Sequence, residues 1–307
     1  MGKKRRLILV GLPLFAKRLH AALENKLIDW EVIHLDTYTS RFDKIRAVFL
    51  LPNADIVYSI NGTITGSKVF DIALRNRVKC IMHWVGTDVL NAIQAHKSGD
   101  FRLDFIEKVH HLCEVDWIQD ELKPIGIHAK ILNFASFNHS FEIQVPKGKK
   151  LRLLTYMSDA RAEFYGLPKV IELAKVFPEV SFTIVGAKAS DFHPLPKNVE
   201  ALGWVENIDF HFDNSHATIR IPKHDGLSNF VLESLARGKH VLYNHPYSHC
   251  NFCPTHENLE QAIRQLKQTV EQDTFKPNLA GKQFVEREFN SNYVFSQLIR
   301  EFETVVG

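Results

Sequence analysis

Two carboxylates, Asp225 and Glu233, stand eight residues apart in the stretch Ile221–Leu242, IPKHDGLSNFVLESLARGKHVL. A strand is expected to end near Ile221, a loop of small residues follows, and a helix is expected from about Asn229. Gly226, Ser228 and Asn229 lie at the helix entry, where unpaired backbone N–H groups and the macrodipole favour a phosphate. Asp225 projects from the loop and Glu233 from about one turn inside the helix, so both can serve one ligand. Carboxylates accept paired hydrogen bonds, and sugar or ribose hydroxyls are suitable donors. The bland alternative is a capped helix carrying two solvated acids. Gly238 then ends the helix and turns the chain into the run His240–Tyr243.

A second cluster, His245-x3-His249-Cys250-x2-Cys253-x2-His256, has the residue types of a metal site. Structural zinc sites usually join ligand pairs from separated segments, and this cluster is one short loop. It is expected to be an irregular loop, with zinc as the alternative, and no metal site is assigned. Gly11 ends the first apolar run as a lone glycine. The fingerprint G-x-G-x-x-G is missing there, which argues against a dinucleotide oxidoreductase.

The elements that must position these residues alternate along the whole chain. Apolar runs at Leu7–Leu12, Glu31–Leu35, Ile56–Ile60, Cys80–Trp84, Trp117–Gln119 and Ala129–Leu132 predict strands buried on both faces. Helical patterns fall between them at Phe15–Asn25, Ile45–Leu51, Val69–Arg77 and Phe101–His110. Glu142–Lys150, EIQVPKGKK, breaks the pattern and reads as a linker. A second series follows: strands at Leu151–Tyr156, Ser181–Val185, Ala217–Ile221 and His240–Tyr243, helices at Leu167–Val176 and Phe230–Ala236. The end, Leu259–Gln268 and Asn292–Val305, is helical in pattern.

A chain of 307 residues suits two domains. Residues 1–150 hold 22 Lys/Arg against 16 Asp/Glu, and the remainder 16 against 19, so the first half is the basic one. Lys3-Lys4-Arg5-Arg6 before Leu7–Ala16 has the look of a signal peptide, but Gly11 and Pro13 interrupt it and no cleavage site follows. A buried first strand is expected instead. No apolar run approaches the roughly 20 residues of a membrane span. The 4 cysteines, without a regular framework, suggest reduced thiols and a cytoplasmic setting.

From Asp225 onward the chain resembles the retaining GT-B glycosyltransferases, especially glycosyltransferase family 4. Their signature is Glu-x7-Glu followed by a helix LEALAxGxPV, and this chain has Asp225-x7-Glu233 followed by LESLARGKHV. The resemblance implies that Asp225 contacts the donor sugar and Glu233 holds the ribose. The backbone of Gly226, Leu227, Ser228 and Asn229 would receive the diphosphate. Phe177–Gly186 resembles a family strand ending in a glycine loop at Gly186, at the strand edge where ligands collect. Asn198–Val205 resembles the segment that contacts the base, so Trp204 would cover the base or pack in a core, with Val205 beside it.

In the first half, Met82–Leu90, MHWVGTDVL, resembles an H-x-G-T-D loop facing the donor sugar. That implies roles for His83, Gly86, Thr87 and Asp88, although this chain has Val85 directly before Gly-Thr-Asp, where the family more often has its histidine. His83 as a structural residue and Asp88 as a helix N-cap are the alternatives. Gly11 matches the family's first glycine loop. Phe289–Val305 resembles the closing helix that crosses back to the first domain. One departure concerns the leaving diphosphate, which the family neutralises with an Arg and a Lys. In Tyr156–Gly166, YMSDARAEFYG, Tyr165 stands in the lysine's place. Arg161 lies in the same loop, and Lys223 offers a further cation.

The fold expected is α/β, two Rossmann-like domains facing a cleft (GT-B). Residues 1–146 form an acceptor domain onto which 292–307 pack back, and 150–291 form a donor domain. The resemblance implies metal-independent retaining hexosyl transfer from a nucleotide diphosphate sugar, UDP-linked rather than GDP-linked, to an unidentified acceptor. Asp225, His83 and Arg161 are the catalytic candidates. No cofactor is expected, since the nucleotide sugar is a substrate, and no nucleic acid is expected as a partner. A catalytically weak or inactive binding subunit and a sugar-nucleotide epimerase are the alternatives. Lys3–Arg6, Lys17, Arg18, Arg75 and Arg77 admit peripheral contact with the inner face of a membrane.

Overall fold

The computed structural model describes residues 4–137, 140–188 and 194–307; Lys3 of the basic run lies outside them. The chain forms two compact units. The first comprises Met1–Ser136, Asp225–Leu227 and Ser291–Gly307, and the second Phe137–His224 and Ser228–Asn290.

In the first unit, β1 (Arg5–Gly11), β2 (Trp30–His34), β3 (Ile56–Ile60), β4 (Lys79–Trp84), β5 (His110–Cys113) and β6 (Lys130–Ile131) form a sheet in the order β2-β1-β3-β4-β5-β6. Every pairing is parallel. The five residues IVYSI of β3 are all buried, as a central strand covered on both faces must be. The crossovers are α1 (Pro13–Leu23), α2 (Arg41–Leu50), α3 (Lys68–Arg75), α4 (Thr87–Ser98), α5 (Leu103–Glu107) and α6 (Asp116–Leu122). The last helix, Ser291–Val306, adds Val294, Phe295, Leu298 and Phe302 to the core built on Leu7, Leu9, Tyr58 and Ile81. Its buried Glu301 meets His110 of β5 at 2.7 Å and also pairs with Lys130 of β6, so the helix is fixed by charge as well as packing.

In the second unit, β7 (Arg152–Tyr156), β8 (Ser181–Val185), β9 (Val199–Ala201), β10 (Ala217–Arg220), β11 (His240–Tyr243) and β12 (Asn251–Phe252) form a second sheet. Its order is β12-β11-β10-β7-β8-β9, again parallel throughout. Its helices are α7 (Leu167–Val176), α8 (Ile208–Asp213), α9 (Asn229–Ala236), α10 (His256–Glu271) and α11 (Leu279–Glu288). The core runs from Leu153 and Ile184 to Ile219 and Ile263.

The α/β character and both parallel sheets agree with the sequence reading, but one region does not. Trp117–Gln119, expected as a strand, lies in helix α6, where Ile118 and Leu122 share the buried face. The strand that fills the sheet is His110–Cys113; only its first residue falls in the helix expected over Phe101–His110, and no element is expected over the other three. Only four residues long and opened by two histidines, β5 carries a weak alternation signal, while the apolar pair Trp117-Ile118 imitates a stronger one.

Candidate functional site

In open α/β sheets, ligands gather at the carboxyl ends of the strands where the chain's direction of winding reverses. The first sheet reverses between β1 and β3, and the second between β7 and β10. Each unit therefore has one such crevice.

Beyond β7 and β10 the chain leaves the second sheet in two loops that stay joined. Lys223 N donates to Phe164 O at 2.8 Å, and Tyr165 N to Arg161 O at 3.0 Å. The Arg161 guanidinium lies 4.1 Å from the Phe164 ring centroid and 5.7 Å from that of Tyr165. Arg220, the last residue of β10, lies 4.6 Å from the Tyr165 centroid and is only 6% exposed. Arginine stacks well on aromatic faces because it is weakly hydrated and keeps its charge when covered. The rings of Tyr156 and Tyr165 meet edge-on, with centroids 6.4 Å apart. Arg220 is thus a cation at the switch point that sequence reasoning missed; nothing in its spacing announces a stack formed only by folding.

The helix that follows β10 is α9. Ser228 is its N-cap in extended conformation, Asn229 opens it, and Glu233 lies half-buried on its flank. Two of its residues, Phe230 and Ser234, tie it to the sheet. Phe230 packs with Phe212 and Leu154, and Ser234 Oγ accepts from Thr218 at 3.0 Å. Gly186 directly follows β8, and its N–H donates to Gly203 O at 2.7 Å. Trp204, next in sequence, is 80% exposed, so its ring is not a core element. Val205 instead is half-buried and packs against the Leu154–Phe230 cluster. Lys223 is exposed.

Asp225, Gly226 and Leu227 belong to the first unit. Trp117 Nε1 donates to the Asp225 carbonyl at 2.9 Å, which leaves the half-buried carboxylate outside that bond. Gly226 lies against the Val85–Gly86 backbone so closely that a Cβ there would collide with Val85 O, so no larger residue fits. Gly86 itself has φ +146 and its N–H donates to Asp88 Oδ1 at 2.7 Å.

Asp88 is a buried clamp. Its Oδ2 accepts from Gly62 at 2.7 Å and its Oδ1 from Gly86 and Val89, so one side chain joins the loops after β3 and β4. Burial raises its pKa, and these backbone donors pull the other way. Thr87 is the first residue of α4. His83 is wholly buried, with Nδ1 2.6 Å from the Tyr58 hydroxyl and its ring against Phe134. Burial lowers its pKa to about 3, so the imidazole is neutral across the physiological range. Gly11, at φ +101, brings the end of β1 against Ile60 O, where any side chain would collide.

Sequence reasoning also missed Glu114, the residue after β5. It is 6% exposed, and its Oε1 has no hydrogen-bond partner among the described residues. Burial pushes its pKa up to about 8. The misplaced strand at Trp117–Gln119 hid it, because a correct β5 would have put this acid at a strand's carboxyl end. The histidine and cysteine stretch forms edge strand β12 and its approaches, with Cys253 N bonded to Tyr243 O at 2.7 Å. Among the described residues no three His, Cys, Asp or Glu side chains are placed to share a metal ion. No described helix is long and apolar enough to cross a membrane.

No protein-family model and no curated protein matches the sequence. Solved structures do match. A glycosyltransferase from Rickettsia africae ESF-5 aligns with TM-score 0.68 at 11% identity, covering 99% of this chain and 99% of that one. Anabaena HepE in complex with UDP-glucose aligns with TM-score 0.65 at 11% identity, covering 97% and 99%. Sucrose-phosphate synthase from Thermosynechococcus elongatus aligns with TM-score 0.72 at 10% identity, covering 98% and 99%. At these identities the likeness is one of fold: this chain has the two-sheet α/β architecture of those glycosyltransferases.

Proposed function

We propose that the chain transfers a sugar from a nucleotide diphosphate sugar, UDP-linked in preference to GDP-linked, to a hydroxyl-bearing acceptor. The observation that carries this reading is the make-up of the second crevice. At one switch point β10 supplies a covered guanidinium, Arg220, and leads directly into α9, whose N-terminus and Glu233 suit a phosphate and a ribose. The fold shared with glycosyltransferases, HepE among them in complex with UDP-glucose, supports it.

In this proposal Glu233 accepts from the ribose hydroxyls, and the amides of Gly226, Leu227, Ser228 and Asn229 receive the diphosphate. Arg161, Arg220 and Lys223 balance the charge that develops on the leaving phosphate. Trp204 stacks on the base beside the Val205 backbone, and the Gly186 loop borders the nucleotide. Asp225 orients the sugar. Asp88 and His83 act as positioning residues that shape the loop bearing Gly86 and Thr87, and Gly11 borders the donor. The family resemblance adds retention by front-face attack assisted by the departing phosphate, with no metal.

A second reading, a nucleotide-sugar binding subunit without turnover, is favoured by Tyr165 standing where the family has lysine. Release of UDP from a panel of UDP-sugars, with and without hydroxyl acceptors, separates the two. Turnover that disappears in Asp225→Asn supports transfer. Turnover that survives both Asp225→Ala and Glu233→Ala removes these residues from the site.

A further inference from the structure

The switch point of the first sheet opens into a cavity of about 940 Å³, near the upper end of the range for small-molecule sites. Its floor is the end of β1 at Gly11 and the loop after β3, where Asn61, Thr63 and Thr65 supply hydroxyl and amide groups. Its walls are of a different kind. Ile45, Val48 and Phe49 come from α2, and Val69, Phe70 and Ile72 from α3.

Helix α2 explains why the walls are apolar and open. Its sequence RFDKIRAVFL places Phe42, Ile45 and Phe49 on one face, with Val48 adjoining, at the spacing of a helix that should bury that face. Yet the only residue it buries is Ala47, while Phe49 is 71% and Ile45 60% exposed. A row of large apolar side chains left in water marks a surface that meets another apolar body, whether a protein, a membrane or a ligand. Three of the four side chains line a concavity that descends to polar groups at the sheet edge, and that shape suits a molecule with one wet end and one oily end.

We propose that the acceptor is an amphipathic alcohol, its hydroxyl-bearing head among Asn61, Thr63 and Thr65 and its hydrocarbon tail along Ile45, Val48 and Phe49. This rests on the transfer reading above, and it names the substrate class of the first unit. The tail supplies affinity by leaving water, at about fourfold per methylene when fully buried. The lysines that line the cavity, Lys44 and Lys68, make the site tolerant of an anionic group near the head.

The test uses the whole chain and n-alkyl β-D-glucosides, from hexyl to decyl, below their micellar concentrations, with UDP titrated into a parallel sample. The expected result is an affinity that rises several-fold per methylene, with free glucose binding too weakly to measure. Val48→Asp and Phe49→Ser alter exposed side chains, so they should keep the melting temperature and the UDP affinity while weakening decyl glucoside at least tenfold. Affinity independent of chain length, or unaltered in both variants, overturns the proposal. So does binding to phosphatidylcholine vesicles without binding to the submicellar glucosides, since that outcome makes the row a membrane contact. Chain-length dependence without UDP binding supports the pocket and contradicts the transfer reading instead.

Discussion

The Arg220 guanidinium lies over the ring of Tyr165, 4.6 Å from its centroid. Tyr165 stands where the family resemblance places a lysine, and the strand end beside it supplies a different cation. If Arg220 takes over part of the lysine's charge, Arg220→Gln should weaken UDP about tenfold or more, the scale of a charge-assisted hydrogen bond. Uridine, which lacks the diphosphate, should bind both proteins equally. Titrating both ligands checks this, and a parallel loss for uridine points to a collapsed crevice rather than a missing phosphate contact.

Glu233 is half-buried on α9, and its proposed partners are the ribose hydroxyls. Glu233→Gln should therefore weaken UDP by about tenfold but leave 2′,3′-dideoxy-UDP unchanged. Equal losses for the two nucleotides would place the carboxylate elsewhere.

Trp204 is 80% exposed, an unusual position for the largest apolar side chain. Stacking of a base on an aromatic ring is worth about 1–3 kcal/mol, so Trp204→Ala should weaken UDP by at least about fivefold. Melting temperature should not change, because the ring contributes little to the core. A lowered melting temperature with unaltered UDP affinity would show the ring to be structural.

Glu114 has a pKa raised by burial to about 8 from an ordinary 4.5. The folded chain then keeps a proton that the unfolded chain releases. Its contribution to stability is fully present below about pH 4.5 and is lost as pH rises through about 8. Glu114→Gln stays neutral throughout, so its melting temperature should gain on the wild type steadily from about pH 5 to about pH 8. Parallel melting curves across that window would mean that Glu114 ionises as an exposed glutamate does. The buried histidines, His83 among them, act in the opposite sense at lower pH in both proteins, so the difference between the two isolates Glu114.

Much of the architecture was legible because parallel strands buried on both faces are short apolar runs. Ser181–Val185, His240–Tyr243 and Leu167–Val176 fall where their patterns place them. The strand His110–Cys113 was lost because two histidines mask its burial, and the error hid Glu114 at its end. The acid-bearing helix α9 was legible from its capping and glycine pattern, but the Arg220–Tyr165 stack was not, since residues 55 positions apart meet only after folding. The α2 face shows a further limit. Phe42, Ile45 and Phe49 have the periodicity of a core face, and only the structure shows that they stay largely exposed.

We propose that the chain binds a nucleotide diphosphate sugar through Glu233 and the cations of the second crevice. Calorimetric titration of the full chain with UDP-glucose and UDP tests it most directly. The expected result is saturable binding in the range of about 1 μM to 1 mM usual for enzyme substrates, lost in a chain carrying both Glu233→Gln and Arg220→Gln. No saturable heat with either nucleotide, or equal binding by that double variant, contradicts it.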